Sequence, residues 1–433
     1  MQQSVRLCVA RRLVFGIFMI GVVALLALID ELKWRGLVAQ MTHEDEIARL
    51  LSGESIRFYT GFDPTADSLH IGHYLQMAVM RHMQRAGHVP VVLIGCGTTM
   101  VGDPSGRTDM RKLISLDEIN RNGEQFKKQI SSVIDFSENK AFMVNNADWL
   151  LNLNYIDFLR EIGVHFSVNK MLSAECFKNR MERGLSFIEF NYMLMQSYDF
   201  LMLYDRLGCV MQFGGDDQWS NIISGMRLVN RVRKKDVYGM TFNLITNSRG
   251  EKMGKTRDGA VWLSAEKTTP YDFFQYWRNV DDADVIRFIK MLTFIPVDEI
   301  RQMEGMSSGE DFNKAKELLA YEMTKNIHGV EQADKVLKTS KDIFQFKVFE
   351  DMPSTGISYS EFDTFTLEDC LVKAKLCQSK TEARRLISQG GISVDGKTFG
   401  SQSEYLKDLS LDGDYFVVRK GKKTYHRFVI QGR

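Results

Sequence analysis

The sequence predicts an α/β protein on a parallel sheet, followed by a helical stretch and a small α+β module. Three observations carry this expectation. From Asp30 onward, strand-like and helix-like segments alternate, the pattern of a parallel α/β sheet. Val89 to Ile94 is almost wholly apolar, as a strand covered on both faces must be. From Tyr271 to about Gln345 the chain holds few Gly or Pro residues and reads as helix throughout.

The elements follow in order. Ile56 to Phe62 is strand-like and runs into the turn-forming Asp63-Pro64-Thr65. A helix is expected from Ile71 to Ala86, with Leu75, Ala78, Val79 and Met83 at helical spacing. Further strands are expected at Cys209 to Phe213 and Met240 to Ile245. Gly214-Gly215-Asp216-Asp217-Gln218-Trp219 sits at the C-terminal end of the first of these, where open α/β sheets bind ligands. Glu350 to Asp363, with Pro353, Ser354, Gly356 and Ser358, reads as a linker. The expected divisions are 1–29, 30–270, 271–345, a linker at 346–365, and 366–433. No internal repeat or low-complexity tract is present.

At 433 residues, with 44% hydrophobic and 26% charged, the chain reads as a folded protein of two or three domains. Its formal net charge of +1 conceals an asymmetry: from Thr366 to the end, 13 Lys and Arg face 8 Asp and Glu. A basic terminal module suggests an anionic partner such as nucleic acid, with a solvated basic face as the alternative. The six cysteines are scattered and form no C-x-x-C pair, which argues against a zinc site or a disulfide framework and for reduced thiols.

Leu13 to Ile29 is an uncharged apolar run of 17 residues behind Arg6, Arg11 and Arg12. It sits at the lower limit of a membrane span and is similar to a signal-peptide core. Asp30-Glu31-Leu32-Lys33 opens an amphipathic helix at once, without a clear cleavage site. Three readings stand: a wrongly assigned start, a membrane anchor, or a targeting segment. No function rests on this run, and no membrane partner is expected from it.

The sharpest chemical signal is His70-Ile71-Gly72-His73, between a strand-turn and a helix. Two imidazoles three residues apart at a helix start share a face, beside outward-pointing backbone N–H groups, and suit a phosphate chain. Two ordinary surface histidines are the bland alternative. Tyr59-Thr60-Gly61-Phe62-Asp63-Pro64-Thr65-Ala66-Asp67-Ser68-Leu69 precedes the histidines, and Lys252-Met253-Gly254-Lys255-Thr256 follows nearly 180 residues later. Alone, the lysine word is weak. With the histidines it reads as a mobile loop bringing two ammonium groups to phosphates. Gly102-Asp103-Pro104-Ser105-Gly106 lies between. Tyr192, Gln196 and Asp199 are spaced to share one face of an otherwise apolar helix, so they need partners, either a ligand or an internal network.

These words in this order resemble the two signatures of class I aminoacyl-tRNA synthetases, and their surroundings resemble the tyrosine-specific branch. The likeness spans nearly all of Asp30 to Arg433. It includes a tail similar to the S4 RNA-binding module, where Ser379 and Glu382 read as the capping box of a helix and Lys380, Arg384 and Arg385 face an RNA backbone. The resemblance implies a Rossmann-like catalytic domain, a helical domain facing the anticodon arm, and the S4-like module. It also implies a homodimer in the cytoplasm that uses ATP, L-tyrosine and tRNA(Tyr). Mg²⁺ would accompany ATP, with no protein-held metal.

By the same likeness, His70, His73 and Thr65 would hold the phosphates, with Lys252, Lys255 and Thr256 from the loop and Arg107 and Arg111 as a second basic arm. Gly61, Asp63, Gly215, Asp217 and Gln218 would line the ATP and adenylate pocket. Asp103, Tyr192 and Gln196 would take the α-ammonium of the amino acid, and Tyr59 and Asp199 its phenolic hydroxyl. The chain departs from the family in Arg107, where Lys is frequent, and in Thr60 and Met100; Gly254 and Thr256 are a familiar variant. Two other readings compete, a tryptophan-specific synthetase and a catalytically retired RNA-binding scaffold. A third, a membrane-tethered receptor, rests on the N-terminal run alone.

Overall fold

The computed structural model describes residues 28–105, 114–174, 177, 181, 184–250, 253, 255–256, 259–344, 352–395, 397–398, 405–406, 414–421 and 424–431. The chain divides into two compact units, one ending at Val330 and the other running from Glu331 to Arg433.

The first unit is built on a six-stranded sheet of order β1-β6-β5-β2-β3-β4. Its strands are β1 (Val38–Met41), β2 (Arg57–Phe62), β3 (Val89–Ile94), β4 (Phe142–Asn145), β5 (Cys209–Gly215) and β6 (Tyr238–Phe242). Neighbours from β6 through β4 are parallel. The edge strand β1 is antiparallel to β6, so the sheet is mixed rather than purely parallel. The expected strand near 240–245 forms two residues earlier. Strands β1 and β4 were not expected. Each is four residues long and half-buried, so neither shows the apolar run of a central strand.

From β2 the chain moves outward to β3 and β4, then returns to the other side of β2 as β5. The order therefore reverses between β2 and β5, and a crevice opens at their C-terminal ends.

Helices Ile71–Arg85, Phe187–Leu207 and Trp219–Arg233 pack beside the sheet. The expected helical stretch contains Pro270–Arg278, Asp282–Leu292, Val297–Met303 and Gly309–His328. These four belong to the same compact unit as the sheet, joined to it by buried polar contacts. Tyr74 donates to the Leu292 carbonyl (3.0 Å) and accepts from Asn326 (3.1 Å). The Arg35 guanidinium donates to the carbonyls of Lys290, Thr293 and Ile295, capping the C-terminal end of the Asp282–Leu292 helix.

The second unit carries a five-stranded sheet of order β11-β10-β12-β13-β9. Its strands are β9 (Ser354–Ser358), β10 (Ile392–Val394), β11 (Lys397–Thr398), β12 (Tyr415–Lys420) and β13 (Thr424–Gln431). Part of the stretch expected as a linker is therefore sheet. Strand β9 pairs in parallel with β13, and Ile357 and Phe362 enter the core of this unit. The Pro/Gly/Ser composition suggested a linker because the partner strand lies some seventy residues away, beyond any local reading. A short hairpin, Lys255–Thr256 with Gly259–Ala260, lies in the first unit. Among the described residues no helix is long and apolar enough to cross a membrane. Residues 1–27 lie outside the described residues.

Candidate active site

The crevice between β2 and β5 opens into a cavity of about 410 Å³. Tyr59, Gly61 and Phe62 of β2 line it, with Gln212, Phe213 and Gly214 of β5. The helix Phe187–Leu207 brings Tyr192, Gln196 and Asp199 to the same space, the face their spacing defined. Asp63, Thr65, His70, His73, Asp103, Asp217 and Gln218 complete the expected residues at its wall.

Asp199 is 1% exposed. Its Oδ1 accepts from the Trp149 indole N–H at 2.8 Å and its Oδ2 from Asn146 at 3.0 Å. Burial pushes its pKa up to about 7, and the two donors oppose that rise. Tyr59 is equally buried and packs its ring edge-on to Phe200 at 5.2 Å. Burial, with the Asp199 charge nearby, holds its phenol neutral well beyond the ordinary range.

A chain of hydrogen bonds runs from this deep end toward the mouth. Asn146 donates to Thr98 Oγ1 (2.9 Å), and Thr98 donates to Asp63 Oδ1 (2.8 Å). Asp63 Oδ2 accepts from the Tyr192 hydroxyl at 2.9 Å. Asp103 accepts from Ser105 N–H (2.8 Å) and from Gln218 (2.7 Å). Burial first, and then the Asp63 charge, raises its pKa to about 6.

At the other end, His70 N-caps the Ile71–Arg85 helix. Its Nδ1 accepts from Gly72 N–H (3.0 Å), while His73 Nδ1 accepts from His70 N–H (3.2 Å). The rings stack with centroids 4.0 Å apart. Accepting at Nδ1 places the proton of each neutral ring at Nε2. Gly72 is required here, since a Cβ would lie 2.8 Å from His70 Cε1. One sequence expectation fails at this point. The first helical N–H groups are not presented outward, because Ile71 N–H donates to the Val261 carbonyl and His73 N–H to that of His70. The pairing comes from a segment 190 residues later, which no local pattern reveals. An anion at this end would meet the imidazoles rather than the helix N–H groups.

Four buried polar atoms lining the cavity have no hydrogen-bond partner among the described residues: Tyr59 Oη, Gln76 Oε1, Gln196 Oε1 and Gln212 Oε1. Buried polar groups are ordinarily satisfied, so in this cavity water or a ligand supplies the partners.

Sequence reasoning missed Asn146, Trp149, Thr98, Gln76, Gln212 and Trp262. Gln212 was accessible to it, as a lone amide inside the apolar Cys209–Phe213 run. Asn146 and Trp149 follow β4, the strand that was not foreseen. Gly214 lines the cavity where Gly215 was expected to. A Cβ at Gly215 would lie 2.6 Å from Asp217 Oδ1, a contact that rotation of this exposed side chain can relieve.

Arg107, Arg111 and Lys252 lie outside the described residues. The backbone of Lys255 and Thr256 forms the short hairpin, and their side chains also lie outside the description. In the second unit, Lys380 pairs with Asp369 (2.6 Å) and Arg384 with the buried Glu368 (3.5 Å), while Arg385 is exposed. The Lys380–Ser388 helix is capped by Ser379, but Glu382 reaches past the cap to Gln378 N–H, so the expected capping box is not closed. Among the described residues no His, Cys, Asp and Glu group is arranged to hold a metal.

Trp149→Phe keeps an aromatic ring and removes one donor to the buried Asp199. A hydrogen bond to a charged group contributes about 1.5–3 kcal/mol, so a ligand that binds at the deep end of the cavity is expected to bind roughly ten- to a hundredfold more weakly, which a binding titration of the variant against the wild type checks.

A mostly parallel sheet with a polar cavity at its switch point, lined by paired imidazoles and buried carboxylates, defines an α/β protein with a ligand site where such sheets bind nucleotides. Residues 51–345 match the family of class I tRNA synthetases (W and Y), and residues 345–428 match the SYY-like C-terminal domain of tyrosine–tRNA ligases. The tyrosine–tRNA ligase of Acetivibrio thermocellus is 58% identical over 401 residues, 92% of this chain and 98% of that protein. That of Clostridium botulinum is 55% identical over 404 residues, covering 93% and 99%. A C-terminally truncated mitochondrial tyrosyl-tRNA synthetase of Aspergillus nidulans superposes with a TM-score of 0.66 at 30% identity, over 73% of this chain and 94% of that one. The chain belongs to the bacterial-type tyrosine–tRNA ligases, within the class I aminoacyl-tRNA synthetases.

Proposed function

We propose that the chain activates L-tyrosine with ATP to tyrosyl-adenylate and pyrophosphate, then transfers tyrosine to the 3′-terminal ribose of tRNA(Tyr). The observation that carries this reading is the deep end of the cavity, where the unpartnered Tyr59 hydroxyl lies near an oriented, buried Asp199. A phenolic hydroxyl suits that pair; phenylalanine would leave it unsatisfied. Sites built to hydrogen-bond a hydroxyl strongly reject the analogue that lacks it, an effect for which tyrosine-specific synthetases are themselves the standard illustration.

The tyrosine carboxylate attacks the α-phosphate of ATP. It is already ionised at neutral pH, so the site needs no general base. Positioning and charge stabilisation carry the reaction. Asp103 and Gln196 take the α-ammonium, with Tyr192 held by Asp63 beside them. His70 and His73 direct Nε2 donors at the phosphates, with Thr65, and Lys252, Lys255, Thr256, Arg107 and Arg111 complete the phosphate-binding set. Gly61, Asp63, Asp217 and Gln218 line the ATP and adenylate pocket. ATP enters with Mg²⁺ as part of the substrate. In the second step a ribose hydroxyl of the RNA terminus attacks the mixed anhydride, with the helices of 271–345 and the module from 366 supporting the RNA, the latter through Lys380, Arg384 and Arg385. The setting is the cytoplasm.

ATP–pyrophosphate exchange with each of the twenty amino acids tests the reading. Exchange dependent on tyrosine is expected. Dependence on tryptophan would overturn the roles of Tyr59 and Asp199, and no exchange from a folded, RNA-binding sample would favour a scaffold.

The homodimer is part of the same proposal. Phe187 and Val164 are 71% and 70% exposed, and Tyr155, Ile156 and Val168 are also exposed. They lie around elements that share one apolar cluster, including Met171, Phe177 and Met193. Large exposed apolar groups concentrated in one region mark an interaction face. Phe187→Asp is expected to shift the protein to monomer at micromolar concentration by sedimentation equilibrium, with its far-UV circular dichroism unchanged and its melting temperature no longer dependent on concentration.

A further inference from the structure

We propose that Asp284 is a positioning residue for the lysine word at 252–256, its carboxylate fixing the chain that leads into that word. The proposal rests on the reading that this word serves the phosphates of ATP.

Asp284 stands in the first turn of the Asp282–Leu292 helix and is 2% exposed. A carboxylate so buried is tolerated only where hydrogen bonds replace its water. Both of its oxygens are engaged. Oδ2 accepts from the Ser248 backbone N–H at 2.9 Å, and Oδ1 accepts from the Arg287 guanidinium at 2.7 Å. Arg287 donates in turn to the Thr246 carbonyl. Two side chains one turn apart thus hold two backbone groups of the stretch 246–248, one a donor and one an acceptor. Arg249 adds an outer pair with Asp281, the N-cap residue of the same helix, at 3.2 Å.

The held stretch is one arm of a closed turn. Gly250 N–H donates to the Asn247 carbonyl (2.9 Å), and its φ of +78° lets the chain reverse there. Met253, inside the lysine word, then donates its N–H to the Ile245 carbonyl at 2.8 Å. Its sulfur accepts from the hydroxyl of Tyr276, on the Pro270–Arg278 helix, at 3.5 Å. Beyond the word the chain is pinned again, where Ile71 N–H donates to the Val261 carbonyl (3.2 Å) and Leu263 N–H to that of Leu69 (2.8 Å). The lysine word therefore lies between two anchors along the chain. One is the start of the histidine motif; the other is Asp284.

Neither Asp284 nor Arg287, Thr246 or Ser248 is among the described residues that line the cavity. Loss of this anchor leaves the deep end and the histidines with all their own contacts. It acts on the reaction only through the groups of the lysine word, and a displacement of about 1 Å in a positioned site costs roughly a hundredfold in rate.

Single-turnover formation of tyrosyl-adenylate at saturating substrates, and equilibrium binding of tyrosine alone, are measured in the wild type, Asp284→Ala and Asp284→Asn. The same measurements are made on Lys252→Ala with Lys255→Ala, with and without Asp284→Ala. Asp284→Ala is expected to lose roughly ten- to a hundredfold in rate, with its affinity for tyrosine unchanged. Asp284→Asn keeps an acceptor for Ser248 N–H, and the half-exposed Arg287 can turn to water, so most of the rate should return. In the background without the two lysines, Asp284→Ala should cost nothing further, because the groups it positions are gone. An additive loss in that background overturns the proposal and marks a merely structural role. So does an unchanged rate in Asp284→Ala, a parallel loss of tyrosine affinity, or an Asn variant no better than the Ala variant. Should Asp284→Ala fail to fold, Arg287→Ala, which releases the Thr246 carbonyl, enters the same cycle with the same expected outcomes. If the wild type forms tyrosyl-adenylate and Asp284→Ala matches its rate, this proposal alone falls. A folded wild type that forms none overturns the proposed function itself.

Discussion

Gly95→Ala is expected to remove nearly all amino-acid activation while leaving a folded protein. A Cβ at this position, just beyond β3, would lie 2.1 Å from Asp63 Oδ1 and 2.5 Å from Thr98 Oγ1. Neither atom can yield alone. Thr98 donates to Asp63 and accepts from Asn146, which also holds Asp199, while Tyr192 donates to the other oxygen of Asp63. Relief of the clash therefore displaces the carboxylate at the mouth and disturbs the chain that orients the one at the deep end. Overpacking of this kind costs about 1–3 kcal/mol, a fraction of the stability of an ordinary domain. The catalytic cost is larger, because a displacement of about 1 Å in a positioned site costs roughly a hundredfold in rate. Gly61→Ala is the control. Its Cβ would meet only Leu93 Cδ2, at 3.9 Å, an ordinary contact, so the ligand-free fold should be undisturbed. Pyrophosphate-exchange kcat/KM of Gly95→Ala and thermal melts of both variants check this, with Gly61→Ala as the control for folding alone, because Gly61 itself lines the cavity.

The readable and the unreadable parts of this molecule divide along sequence distance. Central strands β2, β3 and β5 stood out because both faces are covered, which forces apolar runs. The stripe of Tyr192, Gln196 and Asp199 was readable because helical spacing alone puts them on one face. What escaped depends on pairings made far along the chain. Strand β9 exists only through β13, and β1 only through β6. The satisfied N–H of Ile71 depends on Val261, so the helix start looked open to anions when it is closed. Asn146 and Trp149 were missed for a related reason: nothing in their own stretch announces that a carboxylate some fifty residues later will need two donors. Most of the polar residues that line the cavity were legible, and most of those that hold them in place were not.

Acid is expected to weaken tyrosine binding before it harms the fold. Burial raises the pKa of Asp103 to about 6 and that of Asp199 to about 7 in the ligand-free protein. For stability, a raised carboxyl pKa means the folded chain keeps a proton that the unfolded chain releases. The stabilisation is complete below the ordinary carboxylate range near 4 and is lost as pH rises through the folded values. Lowering the pH from about 8 to about 5 should therefore raise the contribution of these two groups to stability. Binding has the opposite sign. On the proposed role of Asp103, the α-ammonium of tyrosine favours its ionised form, so binding would expel a proton and the KM for tyrosine should climb about tenfold per pH unit below about pH 6. KM for ATP should not follow that slope. Asp199→Asn separates the two carboxylates. Trp149 and Asn146 each donate to one Asp199 oxygen, so an amide NH₂ at either place faces a donor, and the phenol loses its charged acceptor. The mutant is expected to bind tyrosine at least about a hundredfold more weakly, the scale of a lost hydrogen bond to a charge plus an unsatisfied buried donor. Its remaining acid limb should still fall near about pH 6, because that limb belongs to Asp103. If the limb disappears with Asp199→Asn, the proton lost on binding comes from the deep end, and the ammonium is held by something other than Asp103.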